Sequence, residues 1–222
     1  METAATIYRR RFGPDVVFRR GMWRVLCQQF FQPYVPREST VLEVGAGYCE
    51  FINSIAAGHK IALDMNPDTR LYAEPNVRVI EASSTDLSAI ESGSVDIAFA
   101  SNLFEHLTRG DIVRTMREVA RVLKPAGRFL ILQPNIRFCA RDFWMFFDHI
   151  TPLDQHSLAE ALEISGFRVV HTIVRFLPFT TKSRLPNSLF LVRLYLQIPL
   201  LWRIFGQQTF VVAEPVRRER QP

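Results

Sequence analysis

Cysteine is scarce in this chain, and its placement excludes two classes of protein. Cys27, Cys49 and Cys139 are an odd number, with none of the close spacings that hold a metal. A disulfide framework is thereby disfavoured and a reducing compartment favoured, so the cytoplasm is the expected location. The opening M-E-T-A-A-T-I-Y-R-R-R has no apolar core of the kind a secretory signal carries. Long uninterrupted apolar runs are missing too. The nearest, Leu189–Phe205, is about the minimum spanning length and is broken by Arg193, Gln197, Pro199 and Arg203. It is rejected as a membrane span. There is no internal repeat and no low-complexity tract.

What remains is an ordinary globular composition. The 222 residues are 48% hydrophobic and 22% charged, enough for one large α/β domain or two small ones. Phenylalanine, at 18, is unusually frequent. The formal charge of +5 is uneven: Arg9, Arg10, Arg11, Arg19, Arg20 and Arg24 crowd one end, and Arg217, Arg218 and Arg220 the other. Such an excess suits a phosphate-bearing partner or the anionic inner face of a membrane, and equally a solvated surface.

Periodicity orders the chain. Apolar residues at helical spacing over Val16–Phe31 predict a basic, aromatic helix that ends before Pro33 and Pro36. It belongs to a cap at residues 1–36, a layer over the sheet, a substrate lid or a membrane contact. Residues 37–222 then alternate. Strands are expected at Thr40–Val44, Lys60–Asp64, Val77–Glu81, Val95–Ala100, Arg128–Leu132, Phe167–Phe176 and Phe210–Ala213. Helices are expected at Tyr48–Ala57, from Thr108 to Leu123, and from Ser157 to Ser165. This order predicts an α/β fold with a doubly wound, mostly parallel sheet of about seven strands and ligands at the strand C-termini. Leu177–Gln208 interrupts the alternation as a helical insertion before the last strand, a substrate lid or a membrane-facing element. Within it, Thr180, Thr181, Lys182 and Arg184 could hold a phosphate or form a plain surface turn.

The chemistry concentrates in Thr40–Phe51, T-V-L-E-V-G-A-G-Y-C-E-F. A buried strand, a Gly45-Ala46-Gly47 turn and a helix start let backbone lie against a nucleotide. Two glycines alone are a weak signal. Acids on three successive strand ends sharpen it. Glu43 suits a ligand ammonium, Asp64 stands near the spacing at which an acid meets ribose hydroxyls, and Asp86 can accept from an adenine amino group.

Together these stretches resemble class I S-adenosylmethionine-dependent methyltransferases. Thr40–Phe51 resembles that family's motif I, with Cys49 in place of the third glycine. Ser94–Leu107, S-V-D-I-A-F-A-S-N-L-F-E-H-L, resembles its strand-4 motif, and Val122–Leu132 its strand-5 entry. The resemblance runs from Thr40 to about Val174. It implies a Rossmann-like fold and S-adenosylmethionine as cofactor. It further implies Glu43, Gly45, Ala46, Gly47 and Asp64 with Met65 as cofactor-lining residues, joined by Ser84, Asp86, Leu87 and Asn102.

Methyl transfer to oxygen asks for in-line alignment, exclusion of water and a base. Candidates are Glu105 and His106 after strand 4, and Asp148 and His149 in F-W-M-F-F-D-H-I-T-P-L. Either histidine can instead be a packing residue, and His156 belongs to a helix start. Glu105-His106 resembles a pair in ubiquinone-type O-methyltransferases, where an upstream Glu completes a metal site. Asn102 stands at that position, so no metal is expected. The acceptor is expected to be a small or lipid-linked molecule, a sugar-containing one among the options. A nicotinamide-dependent oxidoreductase explains the glycines and Asp64 but not Glu43, and no Tyr–Lys pair supports it. A catalytically silent nucleoside-binding protein stays open. Nucleic acid is disfavoured, because no N/D-P-P-Y-type motif is present. The oligomeric state is not legible.

Overall fold

Among the described residues, six strands running one way and a seventh running against them form a single sheet. The computed structural model describes residues 15–179 and 187–216. The basic ends at Arg9–Arg11 and Arg217–Arg220, and the Thr180–Arg184 turn, lie outside the described residues. The strands are β1 (Thr40–Val44), β2 (His59–Asp64), β3 (Val77–Glu81), β4 (Val95–Ser101), β5 (Leu123–Pro134), β6 (Phe167–Ile173) and β7 (Gln208–Pro215), in the order β3-β2-β1-β4-β5-β7-β6. β7 runs antiparallel to both β5 and β6. The doubly wound expectation holds. Val44 is in register with Leu63 on one side and Ala100 on the other, so β1, β2 and β4 end together. The chain order reverses between β1 and β4, which places the ligand crevice there.

Both faces of the sheet are covered, which is why β1 reads as a continuous apolar run. One face buries Leu42, Val44, Ala98 and Phe129 against Met116 and Val119 of α4 (Arg109–Val122) and Leu158 and Leu162 of α6 (Gln155–Ile164). The other face explains the abundance of phenylalanine. Phe31, Phe51, Phe99, Phe176 and Phe210 are fully buried there with Trp23 of α1 (Val16–Leu26). Phe51 and Phe99 stack at 3.7 Å and Phe30 and Phe176 at 4.0 Å. The basic aromatic helix is therefore a layer of the core. Arg19 fixes it to α2 (Glu50–Ser54) through Glu50 at 2.7 Å.

The insertion lies over α1. Gln207 and Gln208 both donate their amide hydrogens to Leu177 O, at 2.8 and 2.9 Å, and close its base. It carries α7 (Leu189–Gln197) and α8 (Pro199–Phe205). Leu189 packs so closely on Gly21 of α1 that a Cβ there would lie 3.1 Å from it. Among the described residues, no helix is long and apolar enough to cross a membrane.

Two local expectations are corrected. Asp154, not Ser157, caps α6: its carboxylate accepts the His156 and Ser157 amide hydrogens, and Ser157 closes the capping box. The helix α5 (Ile136–Phe143) was not foreseen; Asn135 starts it by accepting the Arg137 amide hydrogen. A short helix, α3 (Thr69–Tyr72), follows β2.

Candidate active site

The turn after β1 is built for close approach. Gly45 and Ala46 both donate to Leu63 O at 2.8 and 3.1 Å, which binds the turn to β2. Gly45 and Gly47 have φ of 75° and 50°. A Cβ on Gly45 would lie 2.9 Å from Leu103 Cδ1, so the turn also touches the end of β4. Cys49, at the third-glycine position, itself adopts φ 58°, a conformation glycine takes without strain. Its thiol is fully buried, and burial pushes its pKa up, so it is an inert packing group.

The acids divide sharply. Glu43 is 5% exposed, and its Oε2 accepts the Ile52 amide hydrogen of α2 at 3.0 Å. Burial raises its carboxyl pKa. Through that oxygen it staples the helix to the strand. Asp64 does end β2 beside the turn. Its Oδ2 accepts Gly47 N–H at 2.7 Å and its Oδ1 accepts Asn66 N–H at 2.8 Å. Burial raises its pKa, against those same backbone donors. Next to it, Met65 is 67% exposed. A turn closed to a Cβ at Gly45, a strand-end carboxylate and an open apolar side chain fit a nucleoside.

The third group is redirected. Asp86 is exposed, and hydrogen bonds from the Ser88 side chain and amide, with Arg121 nearby, lower its carboxyl pKa. It lines an open groove of about 620 Å³ with Arg114, Arg117, Glu118 and Arg121 of α4, in which no residue of the glycine turn takes part. Ser84 Oγ pairs with Thr115 Oγ1 at 3.0 Å, and Leu87 is core, its amide donated to Glu118. The Asx turn and the Arg121 fork bind this loop to α4, while the Ala82 amide hydrogen, donated to Asp64 O at 3.1 Å, ties its start to the end of β2. Asn102 does end β4, in a left-handed conformation that Asn tolerates, with Nδ2 donating to Ser101 Oγ at 2.9 Å.

The four candidate catalytic side chains come together. Leu103, against Gly45, leads directly into Glu105 and His106. Ile150 and Thr151 donate their amide hydrogens to Glu105 O at 2.8 and 3.2 Å, which holds the following loop against β4. Asp148 and His149 are thereby carried to the same place. His106 Nδ1 lies 3.3 Å from Asp148 Oδ2 and 3.1 Å from Asp148 O. The His106 and His149 rings meet edge to face at 4.9 Å. Glu105 is fully buried, and burial raises its pKa against the pull of His106. Glu105, His106 and His149 each offer one ligand atom, all within 4.8 Å of one another.

Two residues here were missed in the sequence. Gln133, at the end of β5, donates Nε2 to Glu105 Oε2 at 2.9 Å; a polar residue closing the run F-L-I-L was its only signal. Phe179, at the start of the insertion, lies 6.0 Å from His149 and 5.8 Å from Phe146. His149 packs among Phe143 and Phe146 as well, at 4.7 and 4.8 Å.

Comparison with known proteins supplies the family. Residues 42–131 match the family described as "Methyltransferase domain". A demethylmenaquinone methyltransferase of Symbiobacterium thermophilum is 34% identical over 62% of this chain and 61% of its own length. A probable S-adenosylmethionine-dependent methyltransferase of Mycolicibacterium smegmatis is 32% identical over 70% of the chain and 61% of its own. The chain thus spans about three fifths of the length of these relatives. The crystal structure of a SAM-dependent methyltransferase from Archaeoglobus fulgidus shares the fold, with a TM-score of 0.67 and 22% identity, over 91% of this chain and 98% of that one. On the turn, the sheet order and these likenesses together, residues 42–131 are a methyltransferase domain of the class I, S-adenosylmethionine-dependent kind.

Proposed function

We propose that the chain transfers the methyl group of S-adenosylmethionine to a hydroxyl oxygen of a small or lipid-linked acceptor. When bound, the cofactor supplies a methyl carbon made electrophilic by the sulfonium. The chain's task is to hold the nucleoside at Gly45, Gly47 and Asp64, and to align the acceptor and remove its proton at Glu105, His106, Asp148 and His149. The carrying observation is that these four side chains meet beside the glycine turn, connected to it through the Leu103–Gly45 contact. Asp148 orients the His106 ring as an acid–imidazole pair does, and the aromatic wall of Phe143, Phe146 and Phe179 excludes water. A sugar hydroxyl fits this chemistry.

A lipid-linked acceptor is favoured by the surface around this wall. Trp144, Met145, Phe147 and Ile150 are exposed, Phe147 at 97%. On α7 and α8, Phe190, Leu200, Ile204 and Phe205 are exposed. Residues 16–37 and 187–207, which carry α1, α7 and α8, contain no Asp or Glu, while Arg20, Arg24, Arg193 and Arg203 face solvent. An apolar surface with basic side chains and no acid suits peripheral contact with an anionic bilayer. The relatives named for demethylmenaquinone point the same way.

Calorimetry tests the first part: S-adenosylmethionine and its demethylated product bind, and NAD does not. No binding of the sulfonium at millimolar ligand overturns the reading and favours the oxidoreductase or silent alternative. His149→Ala lowers turnover on the accepted substrate while cofactor affinity persists. For the membrane, co-sedimentation with anionic vesicles that is lost with neutral vesicles or high salt is expected; equal sedimentation with both overturns the electrostatic contact.

A further inference from the structure

Glu105 and His106 are two potential metal donors adjacent in sequence. The fold adds a third. The amide hydrogens of Ile150 and Thr151 on Glu105 O hold the His149 loop in place, and one ligand atom from each of Glu105, His106 and His149 lies within 4.8 Å of the others. Around one ion with bonds of about 2.1 Å, tetrahedral donors stand roughly 3.4 Å apart. Small side-chain rotations close that gap.

The surroundings of these donors are those of a ligand set. His106 turns Nδ1 to Asp148, at 3.3 Å from Oδ2 and 3.1 Å from the backbone oxygen, which directs Nε2 away from that pair. A metal-ligating imidazole is commonly oriented by such a carboxylate. Gln133 Nε2 holds one oxygen of Glu105 and leaves the other for an ion. A separate observation points to a bound group. Gln133 Oε1 is buried, on a residue 2% exposed, and has no hydrogen-bond partner among the described residues. A buried acceptor of this kind costs about 1–3 kcal/mol unless a donor reaches it. A hydroxyl or water on an ion beside Glu105 is such a donor.

We infer that Glu105, His106 and His149 form a binding site for a divalent transition-metal ion, with Asp148 and Gln133 as positioning residues. Two imidazoles and one carboxylate suit zinc, cobalt, nickel or ferrous iron rather than magnesium or calcium, which take oxygen donors. Three protein donors leave a coordination position open, as in catalytic sites. Its use rests on the methyl-transfer reading above. An acceptor hydroxyl on the open position loses its proton more readily. That proton passes to Asp148 and solvent, the oxygen forms its bond to the methyl carbon, and the carbon–sulfur bond breaks with its electrons to sulfur.

The test is titration of the chelator-treated full chain with Co²⁺, followed by visible ligand-field absorption. One equivalent is expected to bind. Glu105→Gln and His149→Ala each weaken Co²⁺ binding at least about 100-fold, and Asp148→Asn weakens it about 10–100-fold. S-adenosylmethionine affinity, measured by calorimetry in every variant, stays within about twofold and reports that the fold is intact. Absence of ligand-field bands at millimolar Co²⁺, or wild-type affinity in both Glu105→Gln and His149→Ala, overturns the site. Full turnover by the metal-free enzyme overturns its part in the reaction. Failure of the methyl-transfer reading looks different: the cofactor does not bind.

Discussion

Asp64 Oδ2 accepts the Gly47 amide hydrogen at 2.7 Å, so the carboxylate assigned to the ribose also clasps the glycine turn. The two tasks separate by substitution. Asp64→Ala removes both. It leaves a buried amide hydrogen without its acceptor, at a cost of about 1–3 kcal/mol, and lowers cofactor affinity about 100-fold or more. Asp64→Asn keeps one carbonyl oxygen for Gly47 and removes the charge. It is expected to retain most of the stability and still lose most of the affinity. Denaturation and calorimetry on the two variants check this. Unchanged affinity in either removes the ribose assignment.

Burial raises the Asp64 pKa above its ordinary value, near 4. The folded state therefore holds this proton more tightly than the unfolded chain does. Its contribution to the stability of the ligand-free protein falls as pH rises from about 4 through the raised value. Glu43, raised by burial in the same way, acts in the same direction. Cofactor affinity runs the opposite way, because ribose hydroxyls donate to the carboxylate. Affinity is expected to be lost as pH falls through the raised value, at a higher pH than for an exposed Asp. Calorimetry across this range should show the loss in the wild type and little pH dependence in Asp64→Asn.

Cys49 holds a left-handed backbone conformation at φ 58° while fully buried. That conformation costs a side chain about 1–2 kcal/mol and glycine almost nothing. Cys49→Ala keeps the strain and loses the sulfur; Cys49→Gly loses both. The glycine variant is expected to be the more stable of the two by about 1 kcal/mol, read as the difference in chemical denaturation midpoints. Gly45→Ala goes the other way: it meets Leu103 at 2.9 Å with φ 75°, and both stability and cofactor binding should fall.

Much of this was legible because it is local. The apolar runs that became β1 to β5 alternate with glycine and proline breaks, and a strand buried on both faces writes its whole length in the sequence. The turn was legible from Gly45 and Gly47, and so was the gathering of the four catalytic candidates at strand-end loops. Less legible were tasks set by competition between partners. Asp86 stands at a strand end as expected, yet the Ser88 amide and Arg121 capture its loop. Glu43 is an acid beside a glycine turn, and one of its oxygens also accepts the Ile52 amide hydrogen of the following helix. Asp154 outcompetes Ser157 as a cap because its carboxylate accepts from two amides. Least legible was the three-donor set. His149 reaches Glu105 through backbone hydrogen bonds from Ile150 and Thr151 that no motif spacing encodes.

Phe179 joins the insertion to the candidate site. Its ring stands edge-on to Phe146 at 5.8 Å and to His149 at 6.0 Å, whereas the glycine turn and Asp64 lie on other elements. If the insertion helps to enclose the acceptor, Phe179→Ala should act on the acceptor alone. Truncating an aromatic wall opens the site to water and removes apolar contact of about 1–3 kcal/mol. Acceptor KM is then expected to rise about 5- to 100-fold, with cofactor affinity unchanged. Phe179→Leu, which keeps apolar area without the ring, should recover part of the loss. A purely structural role predicts another pattern, in which thermal stability and cofactor affinity fall together and leucine restores both. Steady-state kinetics with each ligand varied in turn, alongside melting curves, separates the two.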